Sequence, residues 1–278
     1  MHWYDREGKP HHSATLTDAR KDNLLPSVTT ILSIIAKGEW LESWRQTQTI
    51  NMCTLNPHRE GERPEDYLER MTLECAVEKS FVLQVGTGVH ALCESYLADD
   101  ATALSKIEND EDVSELATEA YISSDVEIFL DRYITEAEGE GFAEEIVISP
   151  FGFAGTVDYF WVNDGLHVRD FKTQNVKGNT NFYYDWLPQL VAYAMAIHKI
   201  KFEDIFEQHN LVKFLTSADL RSLVISTGVV QGSWEKVWTI KAKLKAWKIF
   251  ESAFELWKVK NDYCLLYTSD AADDLLCV

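Results

Sequence analysis

Three ionisable side chains in one short stretch have the types and the spacing to hold a divalent cation: Asp158, Asp170 and Lys172. Between the two aspartates lies Asn163-Asp164-Gly165, a turn signal flanked by residues that favour strands, which predicts a β-hairpin. A three-residue loop at this signal puts the aspartates directly opposite each other, with Cβ atoms about 5 Å apart. Lys172 then lies on the same face, because side chains alternate along a strand. A two-residue loop would send the carboxylates to opposite faces, so the register decides whether the site exists.

These residues also allow a more ordinary interpretation. Aspartate and lysine on a strand usually form a solvated face, and an exposed ion pair between them stabilises the fold little. Here, however, Asp158 and Asp170 would face each other on an otherwise apolar hairpin. Two carboxylates that close repel each other unless a cation or a proton lies between them. A metal site is therefore the economical explanation, and the surface ion pair stays as the alternative.

The composition is that of a globular protein without a membrane span. The chain has 278 residues, 46% of them hydrophobic, which predicts one large domain or one domain with an appended subdomain. It contains no run of apolar residues long enough to span a bilayer, and its N-terminus is polar. The five cysteines show no C-x-x-C spacing, which favours free thiols in a reducing compartment. We therefore expect a cytoplasmic protein without a signal peptide.

The net charge of −19 limits how the protein could meet a nucleic acid. Such a charge argues against broad electrostatic adhesion to a polyanion. It leaves open a nucleic-acid substrate that meets a local basic groove, or one whose phosphates are bridged by metal ions.

The pattern of apolar residues predicts helices before and after a small central sheet, in an α/β or α+β protein. The segment Leu25–Leu32 leads into a predicted helix that ends at about Gln48. A second helix is predicted at about 65–85 and stops at 86–88. Further helices are predicted at about 89–97, 113–138 and 184–199. Predicted strands cover about 143–149, 153–162, 166–173, 211–215 and 222–230. Aromatic and aliphatic residues from Trp234 to Trp257 predict a long final helix. We expect a helical N-terminal region at 1–142, a core with the final helix at 143–260 and a tail at 261–278.

The end of the chain differs in character from the rest. Residues Cys264 to Val278 have no amphipathic pattern. They resemble the translated sequencing-adapter tails of some metagenome-derived reading frames. We interpret this stretch as non-native sequence.

Five short motifs occur in one order along the chain. They are Leu25-Pro26-Ser27-Val28-Thr29, Gly86-Thr87-Gly88-Val89-His90, Asp158, Asp170-x-Lys172 and Gln189-x-x-x-Tyr193. This order resembles the RecB-like branch of the PD-(D/E)XK nuclease superfamily, and within it the phage-type and mitochondrial genome maintenance exonuclease group. The resemblance covers roughly residues 1–260. It implies a restriction-endonuclease-like core, with a small mixed sheet flanked by helices.

The resemblance implies a role for each residue of the central motifs. Asp158 and Asp170 would bind the metal together with the backbone carbonyl of Phe171. His90 would approach the same ion from its helix. Lys172 would position or help to deprotonate the attacking water, or stabilise the charge that develops on the phosphate.

Other residues would support this site. Gln189 and Tyr193, one helical turn apart, would support the site or the DNA backbone. Many relatives add an acid on the preceding strand, which here could be either Glu144 or Glu145. Glu94, four residues after the histidine, could be the partner of that histidine.

As a whole, the resemblance implies a Mg²⁺- or Mn²⁺-dependent deoxyribonuclease that hydrolyses phosphodiester bonds with a metal-activated water. It implies an exonuclease of phage or prophage type, active in recombination or end processing in the bacterial cytoplasm. Its substrate would be single-stranded DNA or DNA with free ends, and a single-strand-annealing or recombination protein would be a partner. The alternatives are an endonuclease of the same fold and a non-catalytic DNA-end-binding protein.

Two further expectations follow from the same resemblance. No iron–sulfur cluster is expected, because only Cys264 and Cys277 follow the core. The DNA end would pass between the N-terminal helices and the core. Side chains that could contact it are Ser27, Thr29, Trp40 and Trp44.

Overall fold

A five-stranded mixed sheet forms the centre of the protein. The computed structural model describes residues 2–35, 39–107, 110–198 and 208–263. The strands of the sheet are β3 (Phe142–Ile148), β4 (Ala154–Val162), β5 (Leu166–Gln174), β6 (Asp219–Ser226) and β7 (Ser233–Val237), and a separate N-terminal pair consists of β1 (Trp3–Tyr4) and β2 (Leu25–Pro26). The strands lie in the order β3–β4–β5–β6–β7, and all neighbours are antiparallel except β5 and β6.

Helices cover both faces of the sheet. They are α1 (Leu16–Asp22), α2 (Val28–Leu32), α3 (Glu39–Leu55), α4 (Pro64–Ala98), α5 (Glu111–Ser123), α6 (Glu127–Ala137), α7 (Leu187–His198), α8 (Gln208–Ser217) and α9 (Ile240–Lys260), with 3₁₀ turns at Ala101–Lys106 and Tyr184–Trp186. One hydrophobic core joins the sheet to α2, α7, α8 and α9. A second core joins it to α4, α5 and α6. The predicted fold class, a small mixed sheet between helices, is confirmed.

The hairpin of β4 and β5 has the predicted register. Val162 lies opposite Leu166, and the aligned pairs continue to Tyr159 and Arg169. The amide of Asn163 donates to the carbonyl of Gly165, which closes the three-residue loop. The next aligned position beyond the last pair is that of Asp158 and Asp170. The three-residue loop, one of the two that the turn signal allowed, therefore places the two aspartates opposite each other.

A crossover through α7 and α8 places β6 beside β5. Parallel neighbours need such a long connection, because a tight turn can only join antiparallel strands. The register of the pair puts Asp170 beside Ser222. The crossover also brings α7 against the sheet near the aspartates.

Helix α4 is continuous, so the predicted stop at 86–88 is wrong. The glycines of this segment allow close packing instead of ending the helix. A Cβ atom at Gly88 would lie 2.7 Å from the Cβ atom of Ala117, so α4 and α5 could not approach this closely with any other residue. A Cβ atom at Gly86 would lie 3.0 Å from the hydroxyl of Thr173.

Two other predicted helices are each divided in two. The helix predicted at 113–138 is interrupted between α5 and α6, where Asp125 has a left-handed backbone with φ of 50°. The helix predicted to continue to Gln48 ends as α2 at Leu32, and α3 begins at Glu39. Residues 36–38 and the side chains of Trp40 and Trp44 lie outside the described part of the protein.

Two predicted elements have the wrong type. The strand predicted at 211–215 belongs to α8, where Leu211, Phe214 and Leu215 are buried at helical spacing. A short apolar run of this kind fits either structure by its pattern alone. Trp234 was assigned to the final helix but lies in β7, paired with Val224. Helix α9 begins only after Thr239, whose hydroxyl accepts a hydrogen bond from the amide of Ala242.

None of the described helices is long and apolar enough to cross a bilayer. Cys53, Cys75 and Cys93 are free thiols. The stretch from Cys264 to Val278 that we interpret as non-native lies outside the described residues.

Candidate metal centre

Three carboxylates occupy one row across the sheet. Glu144 of β3, Asp158 of β4 and Asp170 of β5 hold successive aligned positions. The aligned pairs that flank this row are Ala143 with Tyr159, Glu145 with Val157, and Tyr159 with Arg169. Side chains at directly opposite positions of antiparallel strands lie on the same face. The sheet therefore collects negative charge at one place.

His90 reaches this row from helix α4. The helix buries Val85, Val89 and Cys93, spaced by one turn, against the sheet, and this packing orients the neighbouring histidine. The ring of His90 contacts that of Phe171, with centroids 6.1 Å apart. The close contact of α4 with α5 at Gly88 holds this part of the helix near the sheet.

His90 forms a cluster with two of the acids. Its Nδ1 atom lies 3.7 Å from Oδ1 of Asp158 and 3.9 Å from Oε1 of Glu144. The candidate ligand atoms of the three residues all lie within 4.8 Å of one another. All three side chains are only partly buried, so an ion and its water could enter.

Glu144, and not Glu145, is the acid of the preceding strand that joins the cluster. Glu145 is exposed to solvent. Glu144 has a left-handed backbone with φ of 48°, inside a strand. Such a conformation costs a residue with a side chain on the order of 1–2 kcal/mol, and strain of this kind is concentrated at functional sites. The sequence could not choose between the two because the choice depends on this local distortion.

Asp158 is held by the neighbouring strand. Its Oδ2 atom accepts a hydrogen bond from the backbone amide of Phe171, which leaves Oδ1 on the side of His90. The predicted role of the Phe171 carbonyl as a metal ligand stays a prediction.

Asp170 is the most buried acid of the row, with 2% of its side chain exposed. Its Oδ1 atom accepts a hydrogen bond of 2.5 Å from Nζ of Lys172. Its Oδ2 atom is buried and has no hydrogen-bond partner among the described residues. A buried acceptor without a partner costs about 1–3 kcal/mol. This oxygen therefore fits a ligand atom that awaits a cation.

The electrostatics of the centre favour a cation. Burial raises the pKa of Asp170 to about 6, although Lys172 opposes the shift. Burial also raises the pKa of Asp158, against the attraction of His90 and Lys172. Burial lowers the pKa of His90, but attraction to Asp158 and Glu144 outweighs it, so the net shift is upward. Burial of the two aspartates is thus not fully offset by His90 and Lys172, and a bound cation would stabilise their charged forms.

The donor atoms suit a hard divalent cation. Carboxylate oxygens are preferred ligands of Mg²⁺ and Mn²⁺. Imidazole is a ligand of transition metals as well, so His90 is compatible with Mn²⁺. The residues present therefore fit the metal that the sequence predicts.

Gln189 and Tyr193 lie beside the candidate ligands and bond to each other. Nε2 of Gln189 donates to the hydroxyl of Tyr193 at 2.9 Å. The ring of Tyr193 is buried against Gly155, where a Cβ atom would lie 2.5 Å from it. Burial and the negative charges of Asp158 and Asp170 raise the pKa of Tyr193 well above its usual value, so its phenol stays protonated.

The suggested partner of His90 was incorrect. Glu94 accepts a hydrogen bond from Lys106 at 2.5 Å instead. The partners of His90 come from the sheet, through Asp158 and Glu144. The helical pattern showed which residues lie one turn apart but not which way that face of the helix points.

The Leu-Pro-Ser-Val-Thr segment lies alongside the strand that carries Asp158. Ser27 forms a β-bridge with Ala154, the first residue of β4. The hydroxyl of Ser27 contacts those of Thr29 and Thr30 at 3.0 and 2.9 Å. The segment thus meets the strand of Asp158 at its first residue, and its contact with DNA stays a prediction.

Comparison with known proteins agrees with this geometry. No curated protein matches the sequence significantly. The sequence profile of the PD-(D/E)XK nuclease superfamily matches residues 66–228, more than half of the chain. The matched range contains the four strands β3 to β6 and every member of the candidate centre. This chain belongs to the PD-(D/E)XK nuclease superfamily, whose members are metal-dependent nucleases.

Proposed function

We propose that this protein is a Mg²⁺- or Mn²⁺-dependent DNA exonuclease of the RecB-like branch. The observation that carries the proposal is the cluster of His90, Glu144 and Asp158 beside the unpartnered oxygen of Asp170. The order of motifs from the Leu-Pro-Ser-Val-Thr segment to Tyr193 supports the branch. A role in phage or prophage recombination, or in end processing with an annealing protein, rests on that resemblance alone.

The residues of the centre divide the chemistry among them. His90, Glu144, Asp158 and Asp170 would hold the cation. A bound divalent cation would draw phosphate oxygens into the site and lower the pKa of the attacking water. The carboxylates of Glu144, Asp158 and Asp170 by themselves would repel a phosphodiester.

Lys172 would be a cation in this site. Burial lowers its pKa, but attraction to Asp170 and Asp158 outweighs burial, so the net pKa is raised and the ammonium is retained. It would therefore orient the water or stabilise the developing phosphorane charge as a cation. It would act as a base only after these carboxylates had been neutralised.

Tyr193 and Gln189 would position the strand that carries Asp158. Tyr193 packs on Gly155, three residues before that aspartate, and Gln189 orients its hydroxyl. These two residues would hold the site's shape without touching the ion.

The test is cleavage of end-labelled DNA with Mg²⁺, with Mn²⁺ or with EDTA. We expect linear single- or double-stranded DNA to be degraded from its ends with either metal and to survive in EDTA. Covalently closed circles should remain intact, and their cleavage would show an endonuclease instead.

The control variant is Asp170→Ala, purified in the same way. It should leave linear DNA intact. Degradation at the unmodified rate by this variant would show that the catalytic assignment is wrong, and binding of DNA ends without cleavage by the unmodified protein would identify a non-catalytic end-binding protein.

A further inference from the structure

Positive charge is concentrated in one short stretch of this acidic protein. Residues 236–248 contain five lysines and no acidic residue, in a chain with a net charge of −19. Lys243 is buried, and its Nζ atom donates to the carbonyls of Leu215 and Ala218, which is a structural role. The other four lysines are exposed: Lys236, Lys241, Lys245 and Lys248. The stretch lies outside the range that matches the nuclease superfamily.

Three of these lysines form a stripe on helix α9. Lys241, Lys245 and Lys248 are spaced by four and three residues, so they lie on one face of the helix, and we call them the lysine stripe. None of them forms a salt bridge with a carboxylate of the described residues. The stripe extends about 10 Å along the helix axis.

The position of the lysine stripe is unfavourable for the helix itself. Like charges one turn apart repel and destabilise a helix. The first turn of a helix is also the positive end of its dipole, where acids are preferred, and the first turn of α9 has none. The stripe therefore does not serve the stability of α9, and an anionic ligand would relieve both effects.

Tyr184, in the turn that leads into α7, contacts the helix that carries the lysine stripe. Nζ of Lys245 lies 5.1 Å from the ring centroid of Tyr184. The hydroxyl of Tyr184 donates to the carbonyl of Ala242 at 2.9 Å. Tyr184 also contacts Trp238 edge to face, with centroids 6.3 Å apart, and Lys236 lies over Trp238. Trp238 is buried and Tyr184 only half-buried, so Tyr184 is the ring that lies beside exposed positive charge, a combination found where nucleic-acid strands bind.

A chain of contacts joins the lysine stripe to the metal centre. Tyr184 begins the turn that leads into α7, and Tyr193 of α7 packs on Gly155 of β4. The nine residues from Tyr184 to Tyr193 span about 14 Å of helix. A strand of a few nucleotides would therefore be long enough to extend from the stripe to the centre.

We infer that Lys241, Lys245 and Lys248 form a phosphate-binding track for the strand that leads to the metal centre. This inference rests on the proposed function, because the track needs a nucleic acid at the centre. The remaining surface is acidic and repels the backbone, so a local stripe of lysines would also set the direction in which DNA enters.

The test compares two triple variants with equal change of charge. One is Lys241→Gln/Lys245→Gln/Lys248→Gln, and the matched control is Lys21→Gln/Lys79→Gln/Lys260→Gln, at exposed lysines elsewhere. Binding of fluorescently labelled single-stranded DNA is measured by anisotropy in EDTA, over a range of salt concentrations. Three lost phosphate contacts should reduce the slope of log K against log salt by about two and weaken binding about a hundredfold at 0.1 M salt.

The contrary result is clear. If the stripe variant and the control variant bind DNA with the same affinity and salt slope, the track does not exist. A stripe variant that loses self-association in gel filtration, without any change in DNA binding, would show that a second copy of this chain occupies the stripe and would also overturn the inference.

A conservative variant guards against a folding defect. Lys241→Arg/Lys245→Arg/Lys248→Arg keeps the charges and should bind DNA as the unmodified protein does. The glutamine variant should keep its helical circular dichroism, because removal of like charges does not destabilise α9. Single Lys→Gln variants should each reduce the salt slope by about 0.7.

A small substrate separates this inference from the proposed function. Hydrolysis of bis(p-nitrophenyl) phosphate with Mn²⁺ should be unchanged in the stripe variant, because this diester is too small to reach the track. Absence of this hydrolysis and of DNA cleavage in the unmodified protein would defeat the proposed function. Normal hydrolysis with unchanged DNA binding in the stripe variant would defeat the track alone.

Discussion

Two clusters of buried charge lie on either side of strand β5 and begin at adjacent residues. Asp170 faces the metal centre. Arg169 faces the other way, fully buried between the rings of Tyr133 and Trp161, at 5.0 and 4.4 Å from their centroids. The strand alternation that puts both aspartates on one face also separates these two clusters.

The cluster of Arg169 is balanced. Nη2 of Arg169 lies 3.0 Å from Oδ2 of Asp219. Arg221 joins Asp219 to Glu235, which also accepts hydrogen bonds from Arg132 and Tyr133. Each carboxylate of this cluster therefore has a guanidinium partner.

The pKa values of the buried Asp170 and the half-buried Asp219 are thus shifted in opposite directions. Burial alone would raise the pKa of Asp219, but hydrogen bonds and attraction from Arg221 and Arg169 lower it overall. Burial of Asp170 is not offset to the same extent, and its pKa is raised to about 6. The difference teaches that burial alone does not mark a functional acid. An acid that is buried without enough positive charge does.

The largest expected effect comes from breaking the balanced cluster. Asp219→Asn leaves Arg169 buried without its main partner, which should cost about 3–5 kcal/mol of folding free energy. Urea denaturation measures this loss. Asp164→Asn, at a side chain that is 87% exposed, is the control and should change stability little. Equal stability of the two variants would show that the cluster is not structural.

A substitution in the metal centre should instead reduce activity and leave the stability of the fold unchanged. Asp158→Asn should reduce DNA cleavage at least about a hundredfold, because it removes a direct metal ligand, whereas even outer-shell partners are worth 10–100-fold. The melting temperature of its metal-free form should not fall, because a repelled carboxylate has been removed. A large loss of melting temperature would assign Asp158 to the fold.

The two clusters should also differ in their response to pH. The folded pKa of Asp170 is raised above its unfolded value, so the folded state binds more protons and the metal-free protein loses stability as the pH rises from about 4 to about 6, by about 3 kcal/mol in total. Asp219 has a lowered pKa, so its contribution is present above its unfolded value and is lost only as the pH falls below it.

Denaturation of the metal-free protein and of Asp170→Asn, at several pH values between 4 and 6, measures this effect. The decline should be clearly smaller in the variant, where only the raised pKa values of the remaining groups such as Asp158 contribute. Mn²⁺ should reverse it in the unmodified protein, since the cation competes with the proton. The same decline in both proteins would show that another group causes it.

The smallest expected effect distinguishes the two adjacent acids of β3. Glu144→Gln should weaken Mn²⁺ binding about tenfold, and Glu145→Gln should not change it. Isothermal titration calorimetry gives both constants. Weaker binding in the Glu145 variant alone would reverse the choice that the strand geometry makes.

Prediction from sequence worked where the determining interactions are local. The Asn163-Asp164-Gly165 turn defined the hairpin, and the hairpin defined the row that contains Asp158 and Asp170. The class of fold followed from the order of helical and extended patterns. The family motifs then identified His90, which lies far from the aspartates in sequence but near Asp158 in space.

Prediction failed where a contact between residues distant in sequence determines the local structure. Gly88 continues a helix because Ala117 packs against it, and a single sequence does not show that neighbour. The pairing of Arg169 with Asp219 depends on the parallel register of β5 and β6, which follows from no local signal. The choice of Glu144 depends on a left-handed residue inside a strand. The sequence also did not show that the lysine stripe packs against the turn before α7, because this depends on the contact of Lys245 with Tyr184.

The continuity of helix α4 constrains how its length can vary. The helix extends from Pro64 to Ala98, its middle is exposed from 76 to 80, and His90 lies near its end. One residue added within the exposed part would turn the segment before it by about 100° relative to the histidine. If both ends have fixed neighbours, only insertions of about seven or eleven residues bring the two ends back into phase. Relatives whose helix α4 is longer or shorter should therefore differ from this chain by about seven or eleven residues, or by multiples of these lengths.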